Sequence, residues 1–197
     1  MLLDFVGTTT YLELLTYVCN VPVEVHTISQ KKGPIRAANC VPLYASIGYE
    51  DDDAPTKLDI LLIPGSSPAG TIAMKQDKEF QKYIRSVAEQ STYVLTVCTG
   101  AAILANTGFL DGKQATTNKM DFKPIAKAHP AVNWVHKARW VVDGNIWTSS
   151  GVSAGMDMAY AFVASKYGSE VADMMAKIIE IVPSKDPAND PFAVVYS

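Results

Sequence analysis

Tyr93-Val-Leu-Thr-Val-Cys98-Thr-Gly100, running on through Ala101-Ala-Ile-Leu-Ala-Asn106-Thr-Gly108, is the stretch that decides the fold. Tyr93–Val97 is uncharged and rich in β-branched residues, the pattern of a strand buried on both faces. The chain then turns at Cys98-Thr99-Gly100 into small residues, Ala101–Asn106, which predict a short buried helix closed by Gly108. Leu58–Ile63 (LDILLI) repeats the theme and stops at Pro64-Gly65. Between the two runs, Asp77–Gln90 carries Phe80, Tyr83, Ile84, Val87 and Ala88. That spacing predicts a helix with one face on a core, and Asp77 is placed to cap it. Strand, helix, strand, helix with uncharged strands predicts a three-layer α/β fold with a mainly parallel, flavodoxin-like sheet.

Working outward, residues 6–18 read as a helix and Val21–Ser29 alternates like a strand. Residues 33–56 read as a β-hairpin or loop excursion, with Asp51-Asp52-Asp53 solvated. On the other side, Ala115–Thr117 is a short strand and Asp121–Ala128 a helix. Trp134–Val142 and Ile146–Ser149 flank Asp143-Gly144, a hairpin signal. Val152–Tyr167 is a nearly all-apolar buried helix, and Ser169 is expected to cap a last one. With 197 residues and no repeat or linker, one domain over 1–197 is expected.

Composition narrows the function. Hydrophobic residues at 48% and charged ones at 19% argue against disorder. Lys and Arg number 17 against 20 acids, net −3, so no basic excess invites nucleic acid. Cys19, Cys40 and Cys98 are scattered, which fits neither a metal site nor a disulfide framework and suits a reduced cytoplasmic compartment. The opening Met1-Leu2-Leu3-Asp4 has no basic n-region, and no apolar run is long enough to span a bilayer. No membrane, metal or cofactor is therefore expected.

In parallel sheets the working site lies beyond the carboxyl ends of the strands. That directs attention to Gly65-Ser66 and Cys98-Thr99. Cys98, between strand and helix, has the placement of a nucleophile elbow, or else is a small buried hydrophobe. As a nucleophile it should have strained dihedrals and a depressed thiol pKa at the helix start. The Gly65, Ser66 and Thr99 N–H groups could receive an oxyanion, or belong to ordinary turns. None of His26, His129 and His136 follows a strand end, so a Cys-His-Asp triad is poorly supported.

The segments LIPGSS (62–67), VLTVCTGAAILANTGFL (94–110), DGKQATTN (111–118) and ARWVVDGNIWTSSGVSAGMD (138–157) together resemble the ThiJ/PfpI superfamily. The resemblance implies a class I glutamine amidotransferase-like fold with a cysteine on the elbow. Cys-Thr-Gly, Ala-Thr-Thr and the N-terminal Leu-Asp look most like its isonitrile hydratase branch. On that likeness Asp4 stands beside Cys98 as its acid–base partner, and Thr99 takes part. The peptidase subgroup has histidine after the cysteine; Thr99 here argues against peptidase activity. Asn118 stands where relatives often have histidine.

The expected pocket rim is Gly65, Ser66, Thr99, Asn118 and the Ser149–Val152 segment, with Ser150 and Gly151 lining it. Two anions at the Cys98–Asp4 pair cannot both ionise cheaply, so one shared proton is expected. The resemblance implies hydration of a small electrophile, an isonitrile giving an N-substituted formamide, by a homodimer. A glyoxalase-type carbonyl enzyme, a biosynthetic isomerase or cyclase, and a non-enzymatic redox sensor are the alternatives.

Overall fold

The computed structural model describes residues 1–35 and 41–196, so Cys40 lies outside the described residues. The chain opens with helix α1 (Leu2–Cys19), then short strands β1 (Ile28–Ser29), β2 (Gly33–Ile35), β3 (Leu43–Ala45) and β4 (Ile47–Gly48). Strand β5 (Ile60–Ile63) leads through helices α2 (Pro68–Gln76) and α3 (Lys78–Gln90) to β6 (Tyr93–Val97) and α4 (Gly100–Ala105). Next come β7 (Gln114–Ala115), α5 (Phe122–Ala128), β8 (Asn133–Trp134), β9 (Trp140–Asp143) and β10 (Ile146–Ser149). Helices α6 (Ala154–Tyr167) and α7 (Ser169–Ile179) precede a tail with one 3₁₀ turn, Pro191–Val194.

The main sheet has the order β5-β6-β10-β9. β5, β6 and β10 are mutually parallel, and β9 joins β10 antiparallel across the Asp143-Gly144 turn. Because side chains alternate along a strand, the sheet separates two cores. Leu95, Val97 and Trp147 face α1, α6 and α7, meeting Tyr11, Leu15, Met158, Phe162 and Met175. Leu61, Ile63, Val94 and Ile146 face α3 and α4, meeting Ile84, Val87 and Leu104. The fold is thus the expected α/β/α sandwich.

Several local expectations hold. Asp77 Oδ1 accepts from Phe80 N–H at the start of α3. Gly108 and Gly144 have φ of 76° and 62°, which only glycine adopts freely. Residues 33–35 and 43–45 form the hairpin excursion, and Asp51–Asp53 are exposed.

Others are corrected. Only Ile28–Ser29 of the expected Val21–Ser29 strand enters a ladder, with β4. An alternating pattern suits a strand only where a neighbour offers hydrogen bonds; Thr27 still accepts from the Ser46 and Ile47 N–H groups, but 21–26 has no pairing strand among the described residues. The expected Trp134–Val142 strand is interrupted between β8 and β9. Ser169 is the first residue of α7, not its cap; Gly168 (φ 93°) is the cap. Helix α2 was not anticipated, although Ser67-Pro68 is a helix-start pair: Ser67 accepts from Gly70 N–H.

Candidate active site

β6 ends and α4 begins around Cys98, whose φ is 59°. A non-glycine residue in that left-handed region stores about 1–3 kcal/mol. Two hydrogen bonds hold it there. Cys98 N–H donates to the Ser150 carbonyl at 3.1 Å, and the Thr117 hydroxyl donates to the Cys98 carbonyl at 2.8 Å. The next turn admits no side chain at Gly100, where a Cβ would drive into the Ile63 carbonyl oxygen. So α4 starts hard against the end of β5, and the thiol is presented at the carboxyl edge of the sheet.

Asp4 reaches the same place from the first turn of α1. Its side chain is fully buried. Oδ2 accepts from Gly65 N–H and from the Met1 ammonium, both at 3.1 Å, while Oδ1 is buried without a partner. Gly65 is the crossing point. A Cβ built there would lie 2.7 Å from Asp4 Oδ2, 3.0 Å from Cys98 Cβ and 3.0 Å from Thr99 Oγ1. Asp4, Cys98 and Thr99 therefore converge on one glycine. No hydrogen bond links the Asp4 carboxylate directly to the Cys98 sulfur, and Oδ1 is left unpaired.

Electrostatics reverse one expectation. Burial pushes the Cys98 thiol pKa up, and the Asp4 charge pushes it further; the Thr99 and Val152 N–H groups on the sulfur oppose them incompletely. The helix start does not depress this thiol, because desolvation and a neighbouring anion outweigh two amide dipoles. The Asp4 carboxyl is raised too, by burial, against the pull of the Met1 ammonium and the Gly65 N–H. Two neighbouring acids, each held above its ordinary value, are the condition for keeping one proton between them.

The expected rim is partly redrawn. Gly65 N–H is spent on Asp4, and Ser66 N–H on Thr99 Oγ1 at 2.9 Å, so neither is free for an oxyanion. The Thr99 hydroxyl donates back to the Ser66 carbonyl at 3.1 Å, clamping the two strand-end loops together. Asn118 is buried. Its amide donates to Asp121 Oδ2 at 2.6 Å, and its oxygen accepts from Thr117 at 3.2 Å. A Cβ built on Gly151 would lie 3.5 Å from Asn118 Cβ, so Asn118 packs beside Gly151 at the rim with its amide turned to Asp121. Ser150 contributes its carbonyl, and its N–H donates to the Arg139 carbonyl at 2.9 Å.

Sequence reasoning missed Val152 as a donor: its φ of 31° aims its N–H at the sulfur. The only signal was its place after Gly151 at the end of a buried strand. Among the described residues, no group of three or more His, Cys, Asp or Glu side chains could hold a metal ion. No helix among them is long and apolar enough to cross a membrane.

A family model described as the DJ-1/PfpI family matches residues 4–165, which takes in Asp4, Cys98 and the Ser149–Val152 segment. The chain belongs to the DJ-1/PfpI family. It is 33% identical over 180 residues to an isonitrile hydratase of Pseudomonas putida, covering 88% of this chain and 75% of that protein. It is also 26% identical over 153 residues to the HTH-type transcriptional regulator GbdR of Pseudomonas aeruginosa (strain UCBPP-PA14), covering 78% of this chain but only 40% of that protein. In fold it is similar to a ThiJ/PfpI family protein from Pseudomonas syringae, with a TM-score of 0.81 and 24% identity, covering 93% of this chain and 72% of that one. The DJ-1/PfpI scaffold thus serves both an enzyme and regulators, and the chemistry has to be argued from the site.

Proposed function

We propose that this DJ-1/PfpI protein is a cysteine-dependent hydratase acting on a small uncharged electrophile, with isonitriles as the substrate class. The observation that carries the reading is the buried Asp4 carboxyl, raised in pKa and converging with Cys98 on Gly65. The likeness to the Pseudomonas putida isonitrile hydratase supports it. A buried acid with one unpaired oxygen is suited to giving up a proton and taking one back.

In the reactive state the pair holds one proton, as Cys98 thiolate and neutral Asp4. The Thr99 and Val152 N–H groups stabilise the sulfur anion. The thiolate attacks the terminal carbon of the isonitrile, forming a C–S bond, and the Asp4 proton goes to that carbon, giving a thioimidate. Asp4, now ionised, takes a proton from water as the water oxygen adds to the carbon. The second water proton passes to the nitrogen as the C–S bond breaks. The product is the N-substituted formamide, with thiolate and neutral Asp4 restored.

The test is a panel of alkyl and aryl isonitriles and methylglyoxal with the native protein and Cys98→Ala. Formamide production that Cys98→Ala abolishes supports the reading. Lactate from methylglyoxal with no formamide, or no turnover of either, overturns it.

A further inference from the structure

Both hydrogen bonds that hold Cys98 at its left-handed φ lead back to one buried carboxylate away from the sulfur. The first comes from the Thr117 hydroxyl, and the Thr117 carbonyl in turn accepts from Lys119 Nζ at 3.1 Å. The same ammonium donates to Thr116 Oγ1 at 3.0 Å and to the Ala138 carbonyl at 2.8 Å. Its protons are thus spent on tying residues 116–117 to residue 138. The second bond runs through Ser150, whose carbonyl holds Cys98 N–H and whose own N–H donates to the Arg139 carbonyl at 2.9 Å. Lys119 and Arg139 both face Asp190, on the tail beyond α7. Its Oδ2 lies 3.5 Å from Lys119 Nζ and its Oδ1 4.0 Å from Arg139 Nη1. The Lys119 and Asp190 side chains are 1% and 0% exposed. Arg139 has a second partner, Asp157, at 2.7 Å; Lys119 has Asp190. Backbone bonds fasten the tail at the same place: Arg139 N–H donates to the Pro187 carbonyl at 2.7 Å, and Asp190 N–H to the Lys137 carbonyl at 3.1 Å.

A buried ion pair is a poor source of stability, because desolvation consumes most of the attraction. An apolar pair of similar volume would hold the tail as well. What it cannot do is donate to three oxygens at once. Burial already brings the Lys119 pKa down to about 8 against the pull of Asp190. Without that carboxylate it falls further, and a neutral amine has too few protons for its three acceptors. We propose that Lys119 and Asp190 are positioning residues for Cys98: the tail carboxylate keeps the lysine charged, and the lysine fixes the Thr117 segment that holds the cysteine in its left-handed conformation. That conformation presents the sulfur to the Thr99 and Val152 N–H groups. The role rests on Cys98 being the working thiol of the proposed hydratase, whatever the substrate.

The test compares the double variant Lys119→Met/Asp190→Leu, and Asp190→Asn alone, with the native protein. Each removes a positive and a negative charge together, the second by leaving Lys119 neutral. The field at the sulfur therefore changes little, and a shift in its titration reports geometry. Tm, isonitrile turnover and the pH midpoint of Cys98 alkylation by iodoacetamide, read at that residue by mass spectrometry, are measured on all three. The double variant should keep a Tm within about 5 °C of native. In both variants the alkylation midpoint should rise by about one pH unit, the loss of an N–H bond to the thiolate. The kcat should fall at least about tenfold while KM stays within about threefold. An unmoved or lowered midpoint in the folded double variant overturns the proposal, because the pair would then only hold the tail. If only Asp190→Asn folds, its midpoint decides in the same way. If neither folds, the pair is a requirement of folding and the proposal falls. A native protein that turns over no isonitrile defeats the hydratase reading alone, since the alkylation midpoint still decides this one.

Discussion

Replacing Gly65 with alanine perturbs the convergence of Asp4, Cys98 and Thr99 without touching any of the three. Gly65 is not at positive φ, so alanine carries no backbone penalty there, and the whole effect is steric. The new Cβ would sit 2.7 Å from Asp4 Oδ2, whereas ordinary van der Waals contact begins at 3.4 Å. It would also press on Cys98 Cβ and Thr99 Oγ1 at 3.0 Å, so the carboxylate cannot escape by shifting the other two. It must retreat and lengthen its bond from Gly65 N–H. Overpacking of this kind costs about 1–3 kcal/mol, which lowers Tm by roughly 2–12 °C in a chain of this length. Misplacement of a catalytic group by about 1 Å costs on the order of 10²-fold in turnover. Isonitrile turnover and the pH midpoint of Cys98 alkylation by iodoacetamide would be measured beside Tm. Turnover should fall about 10²-fold and the alkylation midpoint should move down as the Asp4 charge recedes. Wild-type turnover with an unmoved midpoint in the folded variant would refute the convergence of the pair as the working feature.

Asp4→Asn should cut turnover by about 10²–10⁴-fold and lower the Cys98 alkylation midpoint, which in the native protein lies above the free-thiol value of about 8.5; a midpoint that stays or rises would count against the pairing. Because the folded pKa of Asp4 is raised, its contribution to stability is present at acid pH and is lost as pH rises through that value. The Tm difference, Asp4→Asn minus native, should therefore be more positive at pH 7 than at pH 4. Thr99→Val strips the partner from Ser66 N–H and carbonyl; it should cost about 1–3 kcal/mol, and Thr99→Ser should restore most of the lost Tm. Burial lowers the Lys119 pKa to about 8 although Asp190 lies 3.5 Å away. Proton binding to the unfolded chain then makes the native Tm gain stability between about pH 8 and 10.5, and Lys119→Met should remove that gain.

The parts of the fold that a strand or helix settles with its own residues were legible in the sequence. Tyr93–Val97 needs only to be apolar on both faces, and Asp77 needs only a helix start beside it. Val21–Ser29 failed because strand pairing depends on a neighbour that local pattern cannot supply. The site divides in the same way. Cys98 was visible from its place between a buried strand and small residues. Asp4 came only from the resemblance: in its own stretch it reads as a favourable acid at a helix start, and its burial depends on Gly65, sixty-one residues away. The thiol pKa was misjudged because a helix start can be read along the chain, whereas desolvation and a remote carboxylate cannot.

The left-handed backbone at Cys98 also bears on how such a sequence drifts. At a φ of 59° glycine would be at ease where cysteine is not, so Cys98→Gly trades the sulfur for stability, on the order of 1–2 kcal/mol of relieved strain against the thiol's lost packing. Proteins sit close to a stability threshold and most random changes erode it. A lineage that stops using the thiol therefore meets a standing incentive to discard it at this one position. Persistence of cysteine there across descendants would be a record of purifying selection on chemistry, and its replacement by glycine or asparagine a dated sign that the chemistry had lapsed.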